Sequence, residues 1–323
     1  MNSNTHFVAN NSGAVVSTNI AAVEELTINW HVTEACNYRC QYCYAKWTSR
    51  PNPRELFHDP VRTRSLLTEL FRFFHSGNRS NPLHQQLSWN TLRLNLAGGE
   101  PSILGDRLLE IVHAAREVGF RVSIISNGSR LTPLAIEQLA PHLTSLGISL
   151  DSAAPATNRK IGRIDGKGRL LDIKELVENL QLARQINPQL AVKLNTVVNQ
   201  RNVREDLCQL ADQIRPDRWK ILRMLPVVDH SLAVSDDEFS AFVERHRDFE
   251  SVQCVEDNHD MCESYLMVDP FGRFFQNQPS LNLAYVYSEP VLSAGAERAF
   301  CELAFNTDSF QSRYTNGVVG GKQ

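Results

Sequence analysis

The stretch Cys36-Asn37-Tyr38-Arg39-Cys40-Gln41-Tyr42-Cys43 sets three cysteines at C-x3-C-x2-C spacing. It follows directly on an apolar run, residues 26–33, that has the pattern of a first strand. Three thiolates on one short loop can ligate three irons of a 4Fe-4S cluster and leave the fourth iron without a protein ligand. That open iron is a place for chemistry. A zinc site is the competing reading, but structural zinc takes four ligands. The chain has no second paired C-x2-C, so a fourth ligand would have to come from His31 or from the scattered Cys208, Cys254, Cys262 and Cys301. Spacing and position favour iron.

The rest of the composition is that of an ordinary soluble protein: 323 residues, 42% hydrophobic, 21% charged, formal net charge -3. Length alone suggests two domains, although α/β barrels of this size fold as one unit. The slightly acidic balance argues against a general nucleic-acid surface, which needs broad positive charge to displace counterions. No apolar run approaches the ~18 residues of a membrane span. Residues 1–21 lack the basic flank and unbroken apolar core of a signal peptide. A cytoplasmic location without membrane attachment is expected, and a reducing compartment argues against a disulfide framework for the seven cysteines.

Residues 1–25, rich in Asn, Ser, Thr and Ala, read as a disordered or loosely docked tail. From Leu26 onward, β-type runs at 26–33, 92–97, 121–126, 145–151, 191–198 and 219–225 alternate with segments of helical spacing. The latter cover 61–75, opened by Asp59-Pro60, then 104–118, 133–139, 170–186, 203–214 and 236–246. Six strands alternating with six helices predict a parallel sheet with right-handed crossovers, as a partial barrel or an open doubly wound sheet. After Val252 the pattern changes. Residues 264–268, the turn Asp269-Pro270-Phe271-Gly272 and residues 273–275 predict a hairpin, and 277–323 an accessory segment with a frayed end. The expected division is a tail (1–25), a barrel (26–250) and an extension (251–323) whose hairpin closes the site.

Side chains two apart on a strand share a face. Polar pairs recur at that spacing: Asn29 with His31, Arg93 with Asn95, Lys193 with Asn195, and Arg218 with Lys220. The residue between each pair is apolar (Trp30, Leu94, Leu194, Trp219). Helices cover the outside of such a barrel, so the apolar set should face out and the polar set in. One solvated edge strand would alternate too, but four pairs together point to a ligand, since buried amides and cations are costly unless something meets them. Arg93, Lys193, Arg218 and Lys220, joined by Arg163 from a glycine-punctuated loop, suit phosphate oxygens. A polyphosphate is the natural candidate, with Asn29, His31 and Asn195 left for ribose or base.

Cys36, Cys40 and Cys43, with Tyr42 before the last cysteine, resemble the signature of the radical S-adenosyl-L-methionine (SAM) superfamily. The resemblance implies an α/β fold, a partial (β/α)6 radical SAM barrel with a C-terminal extension. It also implies a 4Fe-4S cluster on those cysteines and S-adenosyl-L-methionine as the second cofactor. Tyr42 would lie against its adenine, the turn Gly98-Gly99-Glu100-Pro101 would receive its amino group, and Ser126, Asn127, Ser149 and Arg163 would complete the cofactor site.

A closer likeness, to the viperin family and its prokaryotic members, is carried by several further stretches. These include Asn29-Trp30-His31-Val32-Thr33-Glu34-Ala35-Cys36, Asn95-Leu96-Ala97-Gly98-Gly99-Glu100-Pro101, Lys193-Leu194-Asn195-Thr196-Val197-Val198-Asn199, Arg218-Trp219-Lys220 and Ser264-Tyr265-Leu266. This implies conversion of a ribonucleoside triphosphate (CTP, UTP or GTP) to its 3′-deoxy-3′,4′-didehydro analogue, a chain terminator for antiviral defence. The 4′ hydrogen would be abstracted and the 3′ hydroxyl lost as water. Lys193, Arg218 and Lys220 would hold phosphates, with Arg93 where animal members have lysine. Asn29, His31 and Asn195 would approach the nucleoside, and Tyr265 would close over the ribose as a candidate proton donor. An electron donor such as a flavodoxin or ferredoxin is implied.

Ala97 departs from the family, which has serine before the glycine pair, and the amphipathic helix and aromatic end of animal viperins have no counterpart here. Two rivals stand beside this reading. A radical SAM peptide-modifying enzyme or activase would commonly carry a cysteine-rich extension, where this chain has Cys254, Cys262 and Cys301. A non-catalytic metal-binding redox regulator leaves the inward cations and the Gly98-Gly99-Glu100 turn unexplained.

Overall fold

Leu26, Ile28, Trp30 and Val32 alternate along the strand that precedes the cysteines, and none of the four has exposed surface. The computed structural model describes residues 21–44, 48–227, 230–278 and 284–315. Its strands are β1 (Ala21–Ala22), β2 (Glu25–Thr33), β3 (Leu87–Ser88), β4 (Thr91–Gly98), β5 (Arg121–Ser126), β6 (Ser145–Ser149), β7 (Ala191–Val198), β8 (Arg218–Arg223), β9 (Gln253–Glu256), β10 (Leu266–Val268), β11 (Arg273–Asn277) and β12 (Tyr285–Pro290). The main sheet has ten strands in the order β12-β11-β10-β2-β4-β5-β6-β7-β8-β9. From β10 to β9 every neighbouring pair is parallel. The hairpin partners β11 and β12 are antiparallel.

The sheet has two edges, β12 and β9, and so is an open barrel. It is nevertheless strongly curled. Lys220 on β8 and Tyr265, just before β10, lie at opposite ends of the parallel run, yet Nζ donates to the tyrosine oxygen at 3.0 Å. The residues after Val252 belong to the same sheet at both ends, with β9 extending β8 and β10 extending β2.

Between the strands run α1 (Pro60–Phe74), α2 (Asp106–Val118), α3 (Pro133–Leu139), α4 (Pro155–Ile161), α5 (Ile173–Ile186), α6 (Cys208–Ile214) and α7 (Asp236–Arg245). The expected start signals act as caps. The Asp59 carboxylate accepts from the Val61 and Arg62 N–H groups ahead of Pro60, and Ser235 with Glu238 forms a capping box. The helices cover the apolar strand face, where Trp30, Leu94, Leu194 and Trp219 have no exposed surface. Three short helices follow, α8 (Val291–Ala294), α9 (Ala296–Cys301) and α10 (Thr307–Thr315). Phe300 of α9 packs on Phe74 and Phe274 at ring separations of 5.5 and 5.7 Å. No helix of the described residues is long and apolar enough to cross a membrane.

Several expectations need correction. The helix expected over 203–214 starts only at Cys208, because Asn202 turns the chain first: its Oδ1 accepts from Asn199 N and its Nδ2 donates to Asp151 O. α5 starts at Ile173 because Asp172 caps it through Glu175 N. The strand expected over 145–151 ends at Ser149, since the Asp151 carboxylate is drawn to Arg163. α4 was not foreseen, for Ile161 is its one buried residue and leaves no apolar period to read. Order begins before Leu26, with Ala21–Ala22 paired to Leu87–Ser88. The expected tail over 1–20 and the frayed end over 316–323 lie outside the described residues.

Candidate active site

The C-terminal ends of the parallel strands surround a cavity of about 320 Å³. Beneath it, inside the curl, a smaller one of about 90 Å³ shares Asn29, Asn95, Asn195, Lys220 and Tyr265 with the first. Cys36, Cys40 and Cys43 line the upper cavity, together with Tyr42, Gly98, Gly99, Glu100, Ser126, Asn127, Ser149, Arg163 and His31. Arg93, Lys193 and Arg218 line the lower one. Every site residue read from the sequence thus borders one or both of these two adjoining cavities.

The cysteine loop suits an iron-sulfur cluster. Tyr38 N–H donates to Cys36 Sγ at 3.4 Å, and Cys43 N–H to Cys40 O at 3.1 Å, a turn that presents the thiols. Burial pushes the Cys36 thiol up to about 11, so a thiolate there calls for a cation. Elsewhere, ligand atoms of Asp206, Cys208 and His246 lie within 4.8 Å of one another, as a single ion would ask. However, His246 Nε2 accepts from Leu207 N–H at 2.9 Å and Nδ1 faces Phe242 O at 2.7 Å, so both ring nitrogens already serve the backbone.

Two glycines let the cysteine loop be packed from both sides. A Cβ on Gly99 would overlap the Ala35 carbonyl, and Gly99 N and Glu100 N donate to Thr33 O and Ala35 O, each at 2.8 Å. Gly162, at φ +91°, sits against the Arg39 carbonyl, while Gln41 N donates to Ile161 O at 2.8 Å. The buried Glu100 carboxylate accepts from Ser126 Oγ at 2.7 Å, Asn127 N at 2.6 Å and Ser102 N at 3.0 Å, so it ties the ends of β4 and β5 together. Arg163 donates to Asp151 Oδ2 and to the Tyr42 hydroxyl, each at 3.0 Å, and to Ser149 O. The Tyr42 hydroxyl in turn donates to Asp151, and Val197 N–H reaches Asp151 Oδ1 at 2.9 Å.

Below, amides cross three strands. Ser123 Oγ donates to Asn95 Oδ1 and Asn95 Nδ2 to Asn29 Oδ1, each at 2.8 Å. On β6 the inward position is Gly147, where a Cβ would lie 3.1 Å from Ile125 and 3.4 Å from Asn195, so its absence keeps the floor open. The cations are not bare. Arg93 pairs with Glu25 at 3.1 Å and donates to Thr27 Oγ1 at 3.0 Å, Lys220 lies 2.5 Å from Glu256, and Arg218 donates to Cys254 Sγ at 2.8 Å. Burial holds His31 at about 4, hence neutral.

Sequence reasoning missed Glu25, which it placed in the tail, and Glu256, Cys254 and Tyr44. Glu256 had one available signal, the alternation Gln253-Cys254-Val255-Glu256, which reads as a strand. Of the four remaining cysteines, Cys254 is buried, Cys208 and Cys262 are half-buried and Cys301 is exposed.

Lys193 yields a pH prediction. Burial, then the neighbouring Arg93, Arg218 and Lys220, hold its ammonium well below the ordinary lysine value of 10.5. A polyphosphate bound beside it would favour the charged form and raise that value, so binding would take up a proton wherever Lys193 is otherwise neutral. Affinity for such a ligand should then be full below the ligand-free pKa and fall, by up to about tenfold per pH unit, as pH rises above it. Lys193→Arg, which stays charged, should flatten a plot of triphosphate Kd against pH.

A curled parallel sheet with three cysteines after its first long strand and, after the next, a glycine-glycine-glutamate turn whose glutamate is buried defines a radical SAM protein, and residues 30–214 match the Radical SAM superfamily. Among solved structures, anSMEcpe with bound AdoMet superimposes with a TM-score of 0.62 at 13% identity, covering 88% of this chain and 84% of that one; the likeness is one of fold. The S-adenosylmethionine-dependent nucleotide dehydratase of Pseudoalteromonas ulvae is 41% identical over 295 residues, 91% of this chain and 94% of that protein. The one from Danio rerio, RSAD2, is 31% identical, covering 89% and 76%. The chain belongs to the family of S-adenosylmethionine-dependent nucleotide dehydratases, as its likeness to the viperins implied, and its cofactors are those of that family, a 4Fe-4S cluster and SAM.

Proposed function

We propose that this enzyme converts a ribonucleoside triphosphate to its 3′-deoxy-3′,4′-didehydro analogue, and that the product acts as a chain terminator in antiviral defence. The observation that carries the reading is the vertical order across two cavities that share lining residues. Cluster cysteines stand at the top, Asn29, His31 and Asn195 in the middle, and Lys193, Arg218 and Arg93 at the bottom. That is the order of reacting centre, nucleoside and phosphates.

When bound, the cluster and SAM supply a carbon radical able to take a ribose hydrogen. The chain's own residues do the rest. Cys36, Cys40 and Cys43 hold the iron. Tyr42, Ser126, Asn127, Ser149, Arg163 and the turn Gly98-Gly99-Glu100 shape the SAM site. Lys193, Arg218, Lys220 and Arg93 bind phosphates, and the fixed distance from that floor to the cysteines sets which ribose carbon meets the radical. Neutral His31 can hydrogen-bond the nucleoside without adding charge. The Tyr265 hydroxyl gives a proton to the departing 3′ hydroxyl. CTP, UTP and GTP are the candidate substrates, a flavodoxin or ferredoxin is the candidate reductant, and the cytoplasm, where cysteines stay reduced, is the working compartment.

Reconstituted, reduced enzyme should be incubated with SAM and each of the four ribonucleoside triphosphates in turn. The expected result is 5′-deoxyadenosine together with a nucleotide lighter by one water for at least one of them. Absence of that nucleotide with all four, from enzyme that still cleaves SAM, would overturn the reading.

A further inference from the structure

The open sheet leaves a seam between β9 and β10, and side chains bridge it. Glu256, the last residue of β9, has 1% of its side chain exposed and lies 2.5 Å through Oε1 from Lys220 Nζ. Its Oε2 accepts the hydrogen of the Tyr265 hydroxyl. Lys220 Nζ donates to that same hydroxyl oxygen at 3.0 Å and sits 5.3 Å from the centre of the tyrosine ring. The three groups form a closed triangle drawn from β8, β9 and the start of β10. Lys220 and Tyr265 border both cavities and Glu256 the lower one, so the triangle stands where the two adjoin, at the level that the proposed function gives to the passage from ribose to phosphate.

A carboxylate is a poor neighbour for a triphosphate, because it repels the anion and competes for Lys220. Its presence is explained if it serves the chemical step. We infer that Glu256 is a positioning residue for proton delivery, holding the Tyr265 phenol and the Lys220 ammonium side by side at the ribose. The inference rests on the dehydratase reading above. In that step the C3′–O3′ bond breaks and its electron pair leaves with oxygen; the Tyr265 hydroxyl turns its one hydrogen from Glu256 Oε2 to that oxygen, which takes the proton and departs as water. The Tyr265 oxygen then takes a proton from the Lys220 ammonium 3.0 Å away, and solvent restores Lys220 between turnovers. One electron from the flavodoxin- or ferredoxin-class donor completes the double bond. Without Glu256 the phenol and the Lys220 ammonium lose the carboxylate that holds them side by side, and hydrogen abstraction is separated from loss of the hydroxyl.

The test compares wild type, Glu256→Gln, Tyr265→Phe and the double variant as reconstituted holoenzymes. It measures kcat and KM for the accepted triphosphate, triphosphate affinity by calorimetry, and the ratio of 5′-deoxyadenosine to dehydrated nucleotide. Glu256→Gln should lower kcat at least tenfold, leave triphosphate affinity unchanged or tighter because an anion has gone, and raise the ratio severalfold. Tyr265→Phe should raise the ratio as well, and the double variant should be no worse than the poorer single one. An unchanged ratio in Glu256→Gln, a weaker affinity that accounts for its loss of rate, or fully additive effects would overturn the inference while leaving the dehydratase reading intact. If Glu256→Gln does not fold, Glu256→Asp carries the same expectation, a raised ratio without weaker affinity, and the same refutation. A wild type that makes no dehydrated nucleotide would instead refute the dehydratase reading.

Discussion

Cys40→Ala is expected to bring both 5′-deoxyadenosine and dehydrated nucleotide down to background. Two thiols cannot replace three as the protein ligands of a cluster. The neighbouring groups offer no substitute, because Tyr42 is committed to Asp151 and Arg163. The chain should still fold. Cys40 sits on a loop whose backbone is held from outside by Arg39 N to Gly162 O and Gln41 N to Ile161 O, at 3.1 and 2.8 Å, and those bonds do not involve its side chain. The check is iron and labile sulfide content, a thermal melt and product analysis on the same sample. A variant that keeps cleaving SAM would contradict the assignment of the three cysteines.

Asp151→Ala should be the most damaging single change to stability at the site. Asp151 is fully buried and Arg163 is 5% exposed, so the substitution leaves a guanidinium deprived of its counter-charge in the interior. Breaking a buried pair in that way costs about 3–5 kcal/mol. For a chain of 323 residues that is a fall in melting temperature of roughly 4–7 °C. It also frees Tyr42, and with it one attachment of the cysteine loop, so reconstituted iron should fall. Replacing both partners with apolar residues, Asp151→Leu with Arg163→Met, should recover much of the melting temperature, since no lone charge is then buried. It should not recover SAM binding if Arg163 touches the cofactor. A melt of Asp151→Ala within 1–2 °C of wild type would show that the pair contributes little.

The difference between these residues and those found from sequence is physical. Trp30, Leu94, Leu194 and Trp219 announce themselves because a strand repeats every two residues, so one glance at alternation separates the helix-covered face from the cavity face. The inward set Asn29, His31, Arg93, Asn95, Lys193, Asn195, Arg218 and Lys220 follows from the same rule, and all of it borders the cavities. The hairpin over Asp269–Gly272 was legible from its turn residues, and Val268 does pair with Phe274 across it. The helix at 203–214 misled because its apolar period runs on through residues whose side-chain amides bend the chain first.

The amino-acid order alone therefore determined the alternating α/β architecture, the cysteine loop, and which face of each strand carries polar groups. These are local properties, written within ten residues or so by period, turn chemistry and spacing. Tertiary structure alone decided which charges meet. Glu25 reaches Arg93, Asp151 reaches Arg163 and Tyr42, and Glu256 reaches Lys220 and Tyr265. Those partners come from different strands and loops, and Tyr42 and Asp151 lie 109 residues apart. No local pattern encodes such pairs, because their energies arise only once the curl of the sheet has removed water from between them.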